Sequence, residues 1–181
     1  MTIAILGWGS LIWQPEELAI EGKWHVDGPF LPVEFARFSS RDRLTLVIVD
    51  GAPLQRTLWA LSLNGTLEEA RESLRIREQS GLRFMGACLR GSNSVGSVPG
   101  SAAVLEWLAG TDLDGAVWTA LGSNNPDKSP GLATEEERLG WLRELVTQGK
   151  ADAAREYIER APVQIDTPLR CRIREELGWG V

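Results

Sequence analysis

The stretch Ile3-Ala4-Ile5-Leu6-Gly7-Trp8-Gly9-Ser10-Leu11-Ile12-Trp13 decides how the rest of this chain is read. Residues 2–6 form a short apolar run ended by glycine, as a first strand should. The run has no basic residues ahead of it and breaks at Gly7, so no signal peptide is expected. Two glycines just after a strand let the backbone turn sharply and let a ligand approach the main chain. Successive N–H groups in such a turn form a nest for an anion. The spacing is not a dinucleotide fingerprint, because the third glycine would fall at Ile12. It is not a P-loop either, since no Gly-Lys-Ser/Thr ending follows. Spacing alone leaves a structural turn and a carboxylate nest both open. Trp8 and Trp13 suit a core better than a stacking platform.

Outward from this segment, the first half of the chain reads as strands. Residues 31–38 alternate, with Leu31, Val33 and Phe35 on one face and Pro32, Glu34 and Ala36 on the other. Residues 44–49 are apolar and β-branched, and they end at the turn signal Asp50-Gly51-Ala52-Pro53. Residues 55–63 alternate again through Leu58, Ala60 and Ser62, so these last two runs are expected to form a hairpin. Thr66-Leu67-Glu68-Glu69 is a capping box that opens a helix running to about Gln79, with Gly81 at its end.

Residues 83–90 and 115–121 are further strand candidates. Two loops rich in Ser, Gly and Asn are expected at residues 91–101 and 123–131. Thr134-Glu135-Glu136-Glu137 opens another helix through Leu145, and residues 151–160 and 167–177 read as helices too. The last has Pro168 at its first position and Gly178 past its end. Strands come early and helices late, without regular alternation. That order predicts an α+β fold in a single domain over residues 1–181.

Composition narrows the chemistry. The chain has 181 residues, 43% of them hydrophobic and 24% charged, which is ordinary for a globular protein. With 19 Lys and Arg against 25 Asp and Glu, the net charge is -6. An acidic chain without a basic cluster repels phosphate backbones, so no nucleic-acid partner is expected. No apolar run nears the roughly 20 residues that span a bilayer, so no membrane partner is expected either. One histidine, His25, and two distant cysteines, Cys88 and Cys171, cannot build an ordinary zinc site or a His-dependent nucleophile. His25 reads as a surface or capping residue. The cysteines read as buried, inert thiols of a reducing, cytoplasmic compartment. No metal and no cofactor are expected, which leaves carboxylates, hydroxyls and backbone groups to carry any catalysis.

Among the carboxylates Glu78 stands out. Leu67, Ala70 and Leu74 form the apolar stripe of the 66–79 helix, and Glu78 falls on that same face. An inward carboxylate costs several kcal/mol unless it is paired or hydrogen-bonded. It therefore pairs with an arginine such as Arg75 or Arg77, emerges at the helix end, or serves a function. Glu16, Glu17, Glu34 and Asp50 are acidic too, but no pattern places them inside.

Together the two segments resemble the γ-glutamylcyclotransferase superfamily, most closely its ChaC-like branch. In that branch a strand runs into Phe-Gly-Tyr-Gly-Ser-Leu-Ile-Trp, and Gly7, Gly9, Ser10, Leu11, Ile12 and Trp13 match it here. A helix ending in Arg-Glu-x-Gly-Gly follows in the branch, where this chain has Arg77-Glu78-Gln79-Ser80-Gly81. The similarity covers roughly residues 3–90. Two departures stand out: Trp8 replaces the usual Tyr, and Ser80 replaces the first of the two glycines.

The resemblance implies a mixed α+β fold around a small β-barrel with the site at its mouth. It implies an enzyme that turns a γ-glutamyl compound into 5-oxoproline plus a free amine, with Glu78 as general acid/base. Gly7, Trp8, Gly9, Ser10 and Leu11 would then bind the γ-glutamyl portion. Glutathione, a γ-glutamyl amino acid, a γ-glutamylamine or a larger γ-glutamyl carrier all remain open as substrate. An amine near pKa 8 and a glutamate near 4.3 are mismatched by roughly 3.5 units, or about 5 kcal/mol. Burial of a carboxyl narrows such a gap. Two alternatives accompany this reading. One is a non-catalytic γ-glutamyl- or carboxylate-binding module of the same fold; the other is an unrelated α+β interaction protein.

Overall fold

A computed structural model describes residues 1–92, 98–125 and 131–180. Of the two expected loops, residues 93–97 and 126–130 lie outside this description. The elements in chain order are β1 (Ile3–Gly7), β2 (Phe30–Leu31), β3 (Val33–Ser39), β4 (Arg43–Ile48), β5 (Gln55–Arg56) and β6 (Leu58–Leu61). Then follow α1 (Leu67–Glu78), β7 (Met85–Leu89), α2 (Ser101–Ala109), β8 (Gly115–Thr119), α3 (Glu135–Thr147), α4 (Asp152–Arg160) and α5 (Pro168–Leu177). The fold is α+β. No helix among the described residues is long and apolar enough to cross a membrane.

The chain forms two compact units. The first holds residues 1–31 and 56–121, and its sheet has the order β6-β1-β8-β7. β1 is central, antiparallel to β6 and parallel to β8, and all five of its residues are buried. Burial on both faces is why this strand reads as a continuous apolar run and not as an alternation. α1 packs on one face through Ala70 and Leu74, against Ile3, Ile5, Met85 and Val117. Trp118 follows Val117 and so points to the opposite face. Its indole N–H donates to the Pro99 carbonyl at 2.9 Å, just ahead of α2. The strand partner of Trp118 is Gly86, where a Cβ would lie 2.1 Å from the indole ring. Only glycine leaves room for that ring.

The second unit holds residues 32–55 and 122–181. β3 and β4 form its antiparallel hairpin, with a bulge between Phe35 and Arg37. The expected pairing of residues 44–49 with 55–63 does not occur: β4 pairs with β3, and β6 pairs with β1. The turn signal at residues 50–53 is a real turn, with Ala52 N–H on Val49 O and Gly51 at φ 82, but it joins strands of different sheets. α4 packs on β4 through Tyr157, whose hydroxyl accepts from Leu46 N–H and whose ring meets Phe35 edge-on. Arg170 is buried and donates to four carbonyls, those of Ile158, Ala161, Pro162 and Ile165. Two of these, Ile158 and Ala161, are carbonyls that the end of α4 leaves without helical partners, and the other two lie in the loop that follows.

Three features lie beyond the sequence pattern. The described strand pairings leave β6 and β7 as two ends of an open sheet, with isolated bridges adding Ile20 to Ser62 and His25 to Trp59. No sequence signal marks α2. Its N-cap is Gly100, with no side-chain cap, and its composition is too apolar to show a stripe. Glu34 is buried, not solvent-facing, because both faces of β3 are covered.

Candidate functional site

β1 ends at Gly7, and the chain turns at once. Ile12 N–H donates to Gly9 O at 3.0 Å, and Gln14 N–H donates to Ser10 O at 2.8 Å. Within the turn, among the described residues, the N–H groups of Gly9, Ser10 and Leu11 donate to no other group. None of residues 7–11 takes a positive φ, so the turn lacks the alternating-handed form of an anion nest and offers only the donors it leaves unused among the described residues. The side chains divide the labour. A Cβ on Gly7 would come 2.7 Å from the Trp24 ring, so this glycine answers to packing. Leu11 belongs to the core beneath α1, and Trp8 is buried at 4% exposure. Gly9 is buried as well, so the turn is open only at the half-buried Ser10, whose hydroxyl also accepts from Arg77.

α1 begins with Thr66, whose hydroxyl accepts from Glu69 N–H while Glu69 accepts from Thr66 N–H. The helix ends on Glu78, not at a glycine. Gln79 takes the left-handed position at φ 48, and its N–H reaches the carbonyls of Arg75 and Ile76. Gly81, expected as the cap, sits at φ -82 in extended backbone. The amide of Gln79 can satisfy the last turn as well as a glycine would, at the cost of a left-handed side chain.

Of the two arginines beside Glu78, Arg75 pairs with Glu72 and holds that carboxyl below its ordinary value through their hydrogen bond. Arg77 pairs with Glu78. Its Nη1 donates to Glu78 Oε1 at 2.8 Å, and its Nη2 donates to Ser10 Oγ at 3.2 Å and to Gln14 O at 2.6 Å. The Arg77 and Glu78 side chains are 10% and 16% exposed. The glycine turn and the helix-end glutamate thus meet at one guanidinium. A carboxylate in the last turn of a helix faces the negative end of the dipole, and a cation beside it offsets that. Arg77 is the site residue that spacing did not reveal. It was visible as a partner for Glu78, but nothing in the sequence tied it to Ser10.

An open groove of about 500 Å³ runs along α1, lined by Glu17, Asn64, Glu68, Ser73, Ile76 and Arg77 among others. Its lining does not include residues 7–11 or Glu78. His25 bridges to Trp59, the β6 residue that pairs with Leu6, and its ring stacks on the Trp59 ring at 4.1 Å. Cys88 is buried, and its thiol is pushed up to about 11 by burial. Cys171 is half-buried instead of buried; desolvation and the nearby Asp166 raise its thiol. Neither is a thiolate at neutral pH. Among the described residues, no group of three or more His, Cys, Asp and Glu side chains is arranged to hold a metal ion. No family model, no curated protein and no solved structure matches this chain.

Proposed function

We propose that this protein is a γ-glutamylcyclotransferase-like enzyme that releases 5-oxoproline and an amine from a γ-glutamyl compound. One observation carries the reading: Ser10 of the glycine turn and Glu78 of α1 share the Arg77 guanidinium. These are the two segments on which the resemblance rests. In this reading the backbone N–H groups of residues 9–11 hold the α-carboxylate of the γ-glutamyl portion. The free α-amine attacks its own γ-carbonyl, a C–N bond closes the ring, and the bond to the leaving amine breaks. Glu78 takes the proton from the attacking nitrogen and delivers it to the departing one. Holding the chain folded for ring closure supplies about 7–11 kcal/mol without any metal. The family's small-barrel architecture, with its site at the mouth, belongs to the same proposal.

The test is 5-oxoproline release over a panel of glutathione, γ-glutamyl amino acids, γ-glutamylamines and γ-glutamyl peptides. Turnover of at least one member supports the reading, and none at all with binding retained overturns it. That second outcome would favour a carboxylate-binding module of the same fold. The tight Arg77–Glu78 pair is the observation on its side, since a paired carboxylate is less available to carry protons.

A further inference from the structure

We propose that Arg77 is a positioning residue that fixes the Glu78 carboxylate against the glycine turn, an inference that rests on the acid/base role proposed for Glu78. Consecutive residues on a helix project about 100° apart and do not face each other. Arg77 and Glu78 nevertheless meet at 2.8 Å, and the same guanidinium reaches back to the chain at Ser10 and Gln14. An ion pair that served the helix surface alone would lie at i,i+3 or i,i+4, as Glu72 and Arg75 do. The planar fork of arginine explains why this one group suffices. One nitrogen takes the carboxylate while another takes a hydroxyl and a carbonyl, at fixed mutual angles. Lysine carries the charge but is a single point donor on a flexible stem, and cannot hold all three in one geometry. The side chain is nine-tenths buried, so its partners are not exchanged freely for water.

The consequence is a division of roles. The glycine turn binds, Glu78 moves the proton, and Arg77 sets where Glu78 stands. A displacement of about 1 Å at a reacting group can cost 10²-fold in rate. Arg77→Met should therefore lower kcat by about 10- to 100-fold while KM changes by less than about threefold. Arg77→Lys should recover part of kcat. A kcat unchanged in Arg77→Met, or a loss confined to KM, would overturn the proposal.

A second measurement needs no turnover. Thermal unfolding of Arg77→Met, Glu78→Gln and the double variant forms a mutant cycle. If Arg77 holds Glu78, the double variant loses less than the two single losses combined; simple addition overturns the coupling. The two failures are separable, because a wild-type protein that releases no 5-oxoproline sinks the enzymatic reading while the unfolding cycle still decides whether Arg77 holds Glu78.

Discussion

Two glutamates are drawn out of solvent at helix ends, Glu34 at the start of α5 in one unit and Glu78 at the finish of α1 in the other. Glu34 is 5% exposed and accepts from the Thr167 hydroxyl at 2.6 Å and from Phe35 N–H at 2.7 Å. Thr167 is the N-cap of α5, so this carboxyl sits at the positive end of a helix, surrounded by donors. Glu78 sits at the negative end of its helix beside an arginine whose side chain is mostly buried. The first arrangement follows the rules of helix capping. The second sets a carboxylate against the helix dipole and offsets it with a neighbouring cation.

The contrast is broken most sharply at Glu78. Glu78→Gln keeps size and one acceptor for Arg77 but cannot cycle a proton. Turnover should fall by about 10²–10⁴ while calorimetric binding of the γ-glutamyl ligand persists. An isolated inward carboxylate would make the variant hold or gain stability. The Arg77 pair reverses that expectation, and melting should fall modestly because a charged partner is lost. Unchanged turnover with lowered melting temperature would return Glu78 to a structural role.

How much of this was legible follows from what each signal measures. Both capping boxes, Pro168 at the head of α5 and Gly178 past its end are local devices, and each fell where the sequence put it. Strand partners are not local. The apolar alternation of residues 55–63 marks the buried face, Leu58, Ala60 and Ser62, yet alternation carries no information about pairing with β1. Glu34 looked solvent-facing because its partner Thr167 lies 133 residues away. Gly7 and Leu11 were recognisable as a turn, but that Trp24 requires Gly7 and that α1 buries Leu11 are tertiary facts. The Arg77 contacts were hidden for the same reason.

At the other carboxyl the expected effects are on stability. Thr167→Val keeps shape but removes a hydroxyl that serves Glu34 and accepts from Arg170 N–H. Losing the cap costs about 1 kcal/mol, and leaving a buried carboxyl short of a donor costs about 1–3 more. Denaturant unfolding should show a combined loss of about 2–4 kcal/mol. A loss below half of the lower figure would mean that water replaces the hydroxyl.

A smaller effect appears in the pH dependence. Burial raises the Glu34 carboxyl above its ordinary value of 4.5, against the opposing pull of Thr167, Phe35 N–H, Arg138 and Leu169 N–H. The folded state thus binds this proton more tightly than the unfolded state. Its contribution to stability is full below pH 4.5 and is lost as pH rises through the folded value. Asp166 works oppositely: the hydrogen bond from Arg174 lowers it, so its contribution is present above its unfolded value and lost as pH falls. Comparing Glu34→Gln with the wild type isolates the first effect. The variant should gain on the wild type as pH rises from 4.5 through the folded value, by about 1.4 kcal/mol for each unit of elevation. Parallel unfolding curves would show that Glu34 titrates as an ordinary carboxyl.

The smallest effect tests the ends of the same two helices. α5 closes on Gly178 at φ 68, and α1 closes on Gln79 at φ 48. A side chain in the left-handed region costs roughly 1–2 kcal/mol, and glycine gives back about 0.5–1 of that through its freer unfolded chain. Gln79→Gly should therefore raise stability by about 0.5–1 kcal/mol, since the amide bonds to Arg75 and Ile76 carbonyls are kept. Turnover should move the other way. Gln79 follows Glu78 directly, and a stiff cap holds the last turn from which both Arg77 and Glu78 project. Glycine has the freer backbone, so kcat should drop by about two- to fivefold even as melting temperature rises. A variant that gains both stability and turnover would show that the left-handed glutamine has no part in aiming Glu78. One that gains neither would show that the cap is not strained.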